Sequence, residues 1–198
     1  MKRRTFDRIV SFVGLGLSVF LFVAAALLNW GASFADESVA TQLSKQKITM
    51  PDKGSAGFKA LSEEAQTALA PFSNKPLTTG RQAQAYADFY IGSHLKGIAG
   101  GKVYSEVSGM ALGAAAKSKA EPANSALANE SAILMGQRTS LFMGETLRGL
   151  LLYSFAFWQI GQIAMYAAWA AAAGGLLMLV LTLLGFAHLR RVEADATI

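Results

Sequence analysis

Uncharged apolar positions are concentrated at the two ends of the chain. Residues 9–28 contain 20 consecutive positions without a charge, which form about 30 Å of helix and match the hydrocarbon core of a bilayer. A basic cluster within residues 1–8 precedes this run, and Asp36 and Glu37 follow it. Because positive charge is retained on the cytoplasmic side, we predict a cytoplasmic segment over residues 1–8 and a transmembrane helix over residues 9–29.

A cleavable signal peptide is the alternative interpretation of this segment, since small residues occur at Ser33 and Ala35. The apolar core is longer than the 7–15 residues typical of a signal peptide, which favours a retained anchor. Arg3 and Arg4 also resemble the core of a twin-arginine export signal, but Asp7 stands where an apolar residue is usual. A cytoplasmic charge anchor therefore explains the basic cluster better.

The second run, residues 149–187, contains 39 uncharged positions, or about 58 Å if it is wholly helical. A hairpin turning at Gly174 and Gly175 leaves too few residues before His188 for a second span. With a basic pair at residues 190–191 on the cytoplasmic side, the run crosses an odd number of times. We predict one transmembrane helix over residues 165–189 and a cytoplasmic tail over residues 190–198.

Aromatic side chains alternate with polar ones just before this second span, over residues 148–164. Amphipathic rings prefer the boundary between lipid and water. We interpret the segment as interfacial, either lying on the outer leaflet or rising from it. The aromatic residues are Tyr153, Phe155, Phe157 and Trp158.

The middle of the chain, residues 30–147, lacks the strict alternation of a strand and is nearly neutral, with 11 Lys and Arg against 10 Asp and Glu. We predict an all-α membrane protein in which two transmembrane helices flank a helical extracytoplasmic domain. Its predicted helices are Ser62–Ala70, Thr79–Ile98, Ser105–Ala120, and a continuous helix from Asn124 toward the membrane. The first is capped by Ser62 and the second opens with a capping box of Thr79 and Gln82.

Small residues recur every fourth position in the second span and allow helices to approach closely. An antiparallel pairing would bring the first span against them. The predicted packing face comprises Gly14, Ser18, Ala164, Ala168, Ala172, Ala167, Ala171 and Gly175. The alternative is that the alanines merely fill an apolar helix.

A stripe of aromatic residues with one histidine marks the best-specified helix of the middle segment: Tyr86, Phe89, Tyr90 and His94. At helical spacing such a stripe most often belongs to the core. The functional alternative is a face that binds a partner or a ligand.

Candidate chemistry is sparse. The chain has no Cys, and the spacings typical of metal, nucleophile and phosphate-loop motifs do not occur. His94 is the only histidine predicted to be exported, so acid–base or metal chemistry would require Asp88, Glu106 or another distant carboxylate that the fold brings beside it. Most of the net charge of +5 comes from the first eight residues, so no nucleic-acid partner is implied. We expect no catalytic residues, metal or cofactor.

Several blocks resemble an uncharacterised family of actinobacterial two-span membrane proteins. They are the Asn29-Trp30-Gly31 exit from the first span, the stretches 79–88 and 94–104, and 144–151. Relatives sometimes carry a label of aromatic ring-opening dioxygenase. A non-haem iron site needs two His and a carboxylate, whereas His94 and His188 are predicted on opposite sides of the bilayer. The resemblance therefore implies no site residues.

These patterns favour a non-enzymatic accessory or scaffold subunit of a bacterial cell-envelope complex in the plasma membrane. Its expected partners are the lipid bilayer and other membrane proteins or further copies of itself. The alternative is an extracytoplasmic ligand sensor, which would pass its signal laterally because only residues 190–198 follow the second span. An enzyme is the third hypothesis.

Overall fold

The computed structural model describes residues 3–191, and it contains helices and loops without a strand in that range. Only one isolated antiparallel bridge, between Thr49 and Pro76, occurs there. The helices are α1 (Arg3–Lys45), α2 (Ala56–Lys59), α3 (Glu63–Leu69), α4 (Gly80–Ala85), a π-helical segment (Tyr86–Ile91), α5 (Gly92–Gly97), α6 (Tyr104–Ala120) and α7 (Ser125–Leu189), with 3₁₀ turns at Ala70–Phe72 and Ile98–Gly101.

Helices α1 and α7 are both long and apolar enough to cross a membrane, with mean hydropathies of 2.5 and 2.2 over their most apolar windows. Little of either window is buried within the protein, unlike the core helix of a soluble domain. The predicted all-helical class with two helices of spanning length is confirmed. The cytoplasmic tail predicted at residues 190–198 lies outside the described residues from residue 192 onward.

The chain divides into two compact units. The first contains the chain up to Glu37 together with the chain from Gln159 onward, and the second contains Ser38–Trp158. The first unit therefore consists, within the described residues, of long stretches of α1 and α7. The second contains all of the short helices.

In the first unit α1 and α7 are antiparallel. Ser11 lies beside Gly185, Leu21 beside Gly175, and Ala35 beside Gly161, so the contacts move up one helix as they move down the other. On α7 the buried positions Gly161, Ala168, Gly175 and Thr182 recur every seven residues. This is the spacing of a left-handed helix pair.

The core of the second unit is formed by large apolar side chains from several helices. Met50, Leu69, Leu77 and Val107 are almost completely buried, as is Leu141 on α7. Val39 and Leu43, near the end of α1, also join this core.

Local capping explains where the short helices begin. The Ser62 side chain accepts the backbone N–H of Ala65 at the start of α3. The capping box of Thr79 and Gln82 opens α4. Both predicted caps are confirmed, as is the continuous helix after Asn124.

The helix predicted over residues 79–98 is not a regular α-helix along its whole length. Residues 86–91 form a π helix, in which the N–H of Gly92 bonds to the carbonyl of Ala87. The chain then leaves the helix through Ala99, Gly100 and Gly101, all with positive φ. An amphipathic pattern does not distinguish one additional residue per turn, so the sequence predicts the helix but not its π segment.

Close packing at Gly80 provides a test of the fold. A Cβ at this position would overlap the Cβ and ring of Trp158, so we expect Gly80→Ala to lower stability by about 1–3 kcal/mol. Gly136, on α7, has no atom within reach of an added Cβ, and Gly136→Ala should raise helix stability by about 0.5–1 kcal/mol. Thermal unfolding of the full chain in detergent measures both, and equal melting temperatures for the two variants would contradict the packing.

Candidate functional site

The rings of Tyr86, Tyr90 and His94 contact one another in sequence along the π segment and α5. The rings of Tyr86 and Tyr90 are stacked with centroids 4.8 Å apart, and the Tyr90 and His94 rings are 4.5 Å apart. Tyr86, Phe89 and Tyr90 are half-buried against the core of the second unit. His94 is exposed, so the four residues do not present one common free face.

A backbone hydrogen bond orients His94. Its Nδ1 lies 2.7 Å from the carbonyl oxygen of Tyr90, and because a carbonyl only accepts, Nδ1 carries the proton. His94 borders a cleft of about 530 Å³ that Lys96 and the serines 62 and 93 also line.

The carboxylates considered as partners of His94 are engaged elsewhere. Asp88 pairs with Arg148 at 3.0 Å, and Glu106 accepts the backbone N–H of Val103 at 2.9 Å. Within residues 3–191 no three His, Asp or Glu side chains group in a way that would hold a metal ion. The acid–base arrangement considered from the sequence is not assembled around His94.

Burial changes the titration of Tyr86. Its pKa is raised above the ordinary value of 10.0, mainly because burial disfavours the phenolate and also because Tyr90 is close. A raised phenol pKa means that the folded chain retains this proton longer than the unfolded chain. The stability contributed by Tyr86 is therefore complete below pH 10 and decreases as the pH rises above it.

An ion-pair cluster that the sequence patterns do not predict joins the π segment to α7. The Arg148 guanidinium contacts Asp88 at 3.0 Å and Glu145 at 3.4 Å. The hydrogen bond to Asp88 is the main cause of a raised Arg148 pKa. The three residues line a cavity of about 270 Å³ together with Lys96 and Lys102.

One donor of this cluster is unused. Arg148 Nε is shielded from solvent and has no hydrogen-bond partner among the described residues. Asp88 and Arg148 are 60 positions apart. Periodicity gives no signal for a pair so distant, and this is why sequence reasoning missed the cluster.

Only part of the predicted packing face lies at the contact between α1 and α7. Gly14, Ser18, Ala168 and Gly175 are buried. Three more alanines at positions 164, 171 and 172 are half-buried, and Ala167 is exposed. The buried small residues of α7 are spaced seven positions apart. The predicted packing face used a spacing of four, and residues at that spacing move progressively around the helix away from the contact.

Hydroxyl groups face glycines across this contact. A Cβ on Gly14 would lie 2.6 Å from Thr182 Oγ1, and one on Gly185 would lie 2.6 Å from Ser11 Oγ. Ser18 Oγ also donates to the Gly175 carbonyl at 2.9 Å. The sequence patterns led us to expect Gly14 and Ser18 near Gly185, whereas Gly14 lies opposite Thr182 and Gly185 lies opposite Ser11. Sequence reasoning missed Ser11 and Thr182, although hydroxyls at the spacing of the small residues would have marked them.

Disulfide trapping tests the antiparallel register. The Ser11 Cβ and a Cβ built on Gly185 are 3.7 Å apart, within the range that a disulfide requires. We expect Ser11→Cys with Gly185→Cys to cross-link within one chain in oxidised membranes, since the wild type has no Cys. The control pairs Val13→Cys, on an exposed face of α1, with Gly185→Cys. Cross-linking of the control as efficiently as the test pair would contradict the register, and a band shift on non-reducing gels provides the readout.

Comparison with known proteins adds no further assignment. No protein family, curated protein or solved structure matches the chain.

Proposed function

We propose that this chain is a non-enzymatic integral membrane accessory or scaffold subunit of a bacterial cell-envelope complex. In this proposal α1 and α7 cross the plasma membrane and flank a helical extracytoplasmic domain at residues 30–147. Both termini lie in the cytoplasm. The observation that carries the proposal is the close α1–α7 contact, which uses the small residues and directs the large apolar side chains outward.

The outward surface of this helix pair suits lipid and neighbouring membrane helices. Trp30, Tyr166 and Trp169 are each 69% exposed. Because Ala35 contacts Gly161, the antiparallel register puts Trp30 about level with Tyr166. Exposed aromatic rings at one level are typical of a membrane boundary, which supports an outer boundary near these residues.

The second unit supports a binding role more than catalysis. Its ion pair of Asp88 and Arg148, the Glu106 cap and the stacked tyrosines each stabilise local structure. Large apolar side chains, including Leu150 and Tyr153, are nevertheless exposed on α7. Contiguous exposed apolar surface is typical of protein interaction sites.

Affinity purification tests the accessory role. We expect a tagged full chain, extracted from its own membranes in a mild detergent, to retain one or a few envelope proteins in constant ratio, identified by mass spectrometry. Membranes with the untagged chain provide the control. A homogeneous preparation that contains this chain alone, in the same detergent, would contradict an accessory role.

The ligand sensor is the second candidate, and the cavity around Arg148 is the observation that favours it. Three cations, Lys96, Lys102 and Arg148, line this cavity with two carboxylates, and Arg148 Nε is an unused donor. An anionic metabolite would suit such a lining. Thermal-shift screening of the full chain, with Lys102→Gln as a matched variant, tests it, and the absence of stabilisation by any anionic ligand would contradict it.

A further inference from the structure

A stripe of exposed apolar side chains follows the part of α7 that belongs to the second unit. These side chains are 42–79% exposed. At 100° per residue they fall within an arc of about 140°. The members of this α7 stripe are Phe142, Met143, Leu147, Leu150 and Tyr153.

The charges of α7 lie on the other side of the helix. Its four charged residues are Glu130, Arg138, Glu145 and Arg148. On a helical projection all four fall within about 80°, centred opposite the stripe. Arg148 pairs with Asp88, and Arg138 donates to Ser108 on α6. The stripe therefore carries no charge that would repel an identical surface.

We propose that the α7 stripe is the site at which a second copy of this chain binds, forming a parallel, two-fold symmetric contact between the two α7 helices. The inference rests on the proposed membrane topology, under which both copies have the same orientation. Parallel packing of identical helices about a two-fold axis is then permitted.

The spacing of the stripe suits such a contact. From Met143 the exposed apolar residues continue at intervals of four, three and three to Leu147, Leu150 and Tyr153. This approximates the repeat by which two helices interlock their side chains. In a parallel symmetric pair each residue of the α7 stripe meets the same residue of the other copy. An apolar, uncharged stripe is therefore complementary to itself.

The exposed area is sufficient for a dimer. Taking about 200 Å² for each large side chain, the exposed fractions provide at most roughly 600 Å² per copy. Complete coverage of the stripe in both copies would bury about 1,200 Å², compared with the ~1,000 Å² expected of a biological interface.

The bilayer is a less suitable cover for the stripe. The stripe lies outside the proposed second span, because Tyr153 precedes the proposed start of that span, Met165, by 12 positions.

Cysteine cross-linking tests the proposal in native membranes. Leu150→Cys puts the single thiol of the chain at the centre of the stripe, and Ala156→Cys puts it on an exposed position of the same helix about 120° from Leu150. Under mild oxidation we expect several-fold more disulfide-linked dimer of this chain from Leu150→Cys than from Ala156→Cys. Equal dimer yields, or a cross-link from Leu150→Cys to a different protein, would overturn the proposal.

Charge substitution provides a second measurement that does not depend on oxidation. In Leu150→Glu the new carboxylates of the two copies would face each other across the proposed contact and repel. In Ala156→Glu they would lie outside that contact. By light scattering in detergent we expect wild type and Ala156→Glu to be dimers and Leu150→Glu a monomer, with all three melting at similar temperatures. A monomeric wild type would overturn the proposal. Heterologous partners retained in constant ratio would still support the accessory role, so the two proposals fail separately.

Discussion

The close approach of α1 and α7 is the constraint on which the first unit depends. Lipid chains are as apolar as the helices, so in a membrane the hydrophobic effect does not drive two spans together. Contact then requires close backbones and specific polar bonds. Gly14, Gly175 and Gly185 provide the closeness, and Ser18 provides a hydrogen bond across the contact. Larger side chains at Gly14 and Gly185 would overlap the opposing hydroxyls, and one at Gly175 would press on Phe22, so the helices would separate.

The second unit is stabilised by different interactions, namely burial of apolar side chains and an ion pair. Apolar burial of Leu69, Leu77 and Leu141 forms its core, while Arg148 joins the π segment to α7 through Asp88. A partly exposed ion pair contributes little to stability by itself. Its geometric effect is larger, because it fixes the register of two segments distant in the chain. Arg148 is half-buried in this pairing, while the apolar residues on the other side of α7 are exposed.

Local signals in the sequence were sufficient for much of the helical architecture. Ser62, Thr79 and Gln82 cap helices through contacts within four residues, so pattern alone located α3 and α4. The π segment and the Asp88–Arg148 pair depend on tertiary packing, which periodicity does not encode. At the candidate site, the sequence grouped His94 with Tyr86, Phe89 and Tyr90, but only the aromatic three pack against the core. The seven-residue repeat of buried positions on α7 could not be predicted, because it is defined by the contact of α7 with α1.

Sidedness is the central claim, because the accessory role requires residues 30–147 to be outside and both termini inside. Single cysteines at Ser44, Ser118 and Thr197 of this Cys-free chain measure it with a membrane-impermeant maleimide on intact cells; Thr197 lies outside the described residues. The account predicts labelling at Ser44 and Ser118, and labelling at Thr197 only after the membrane is permeabilised. Thr197 reacting as readily as Ser118 in intact cells would contradict it.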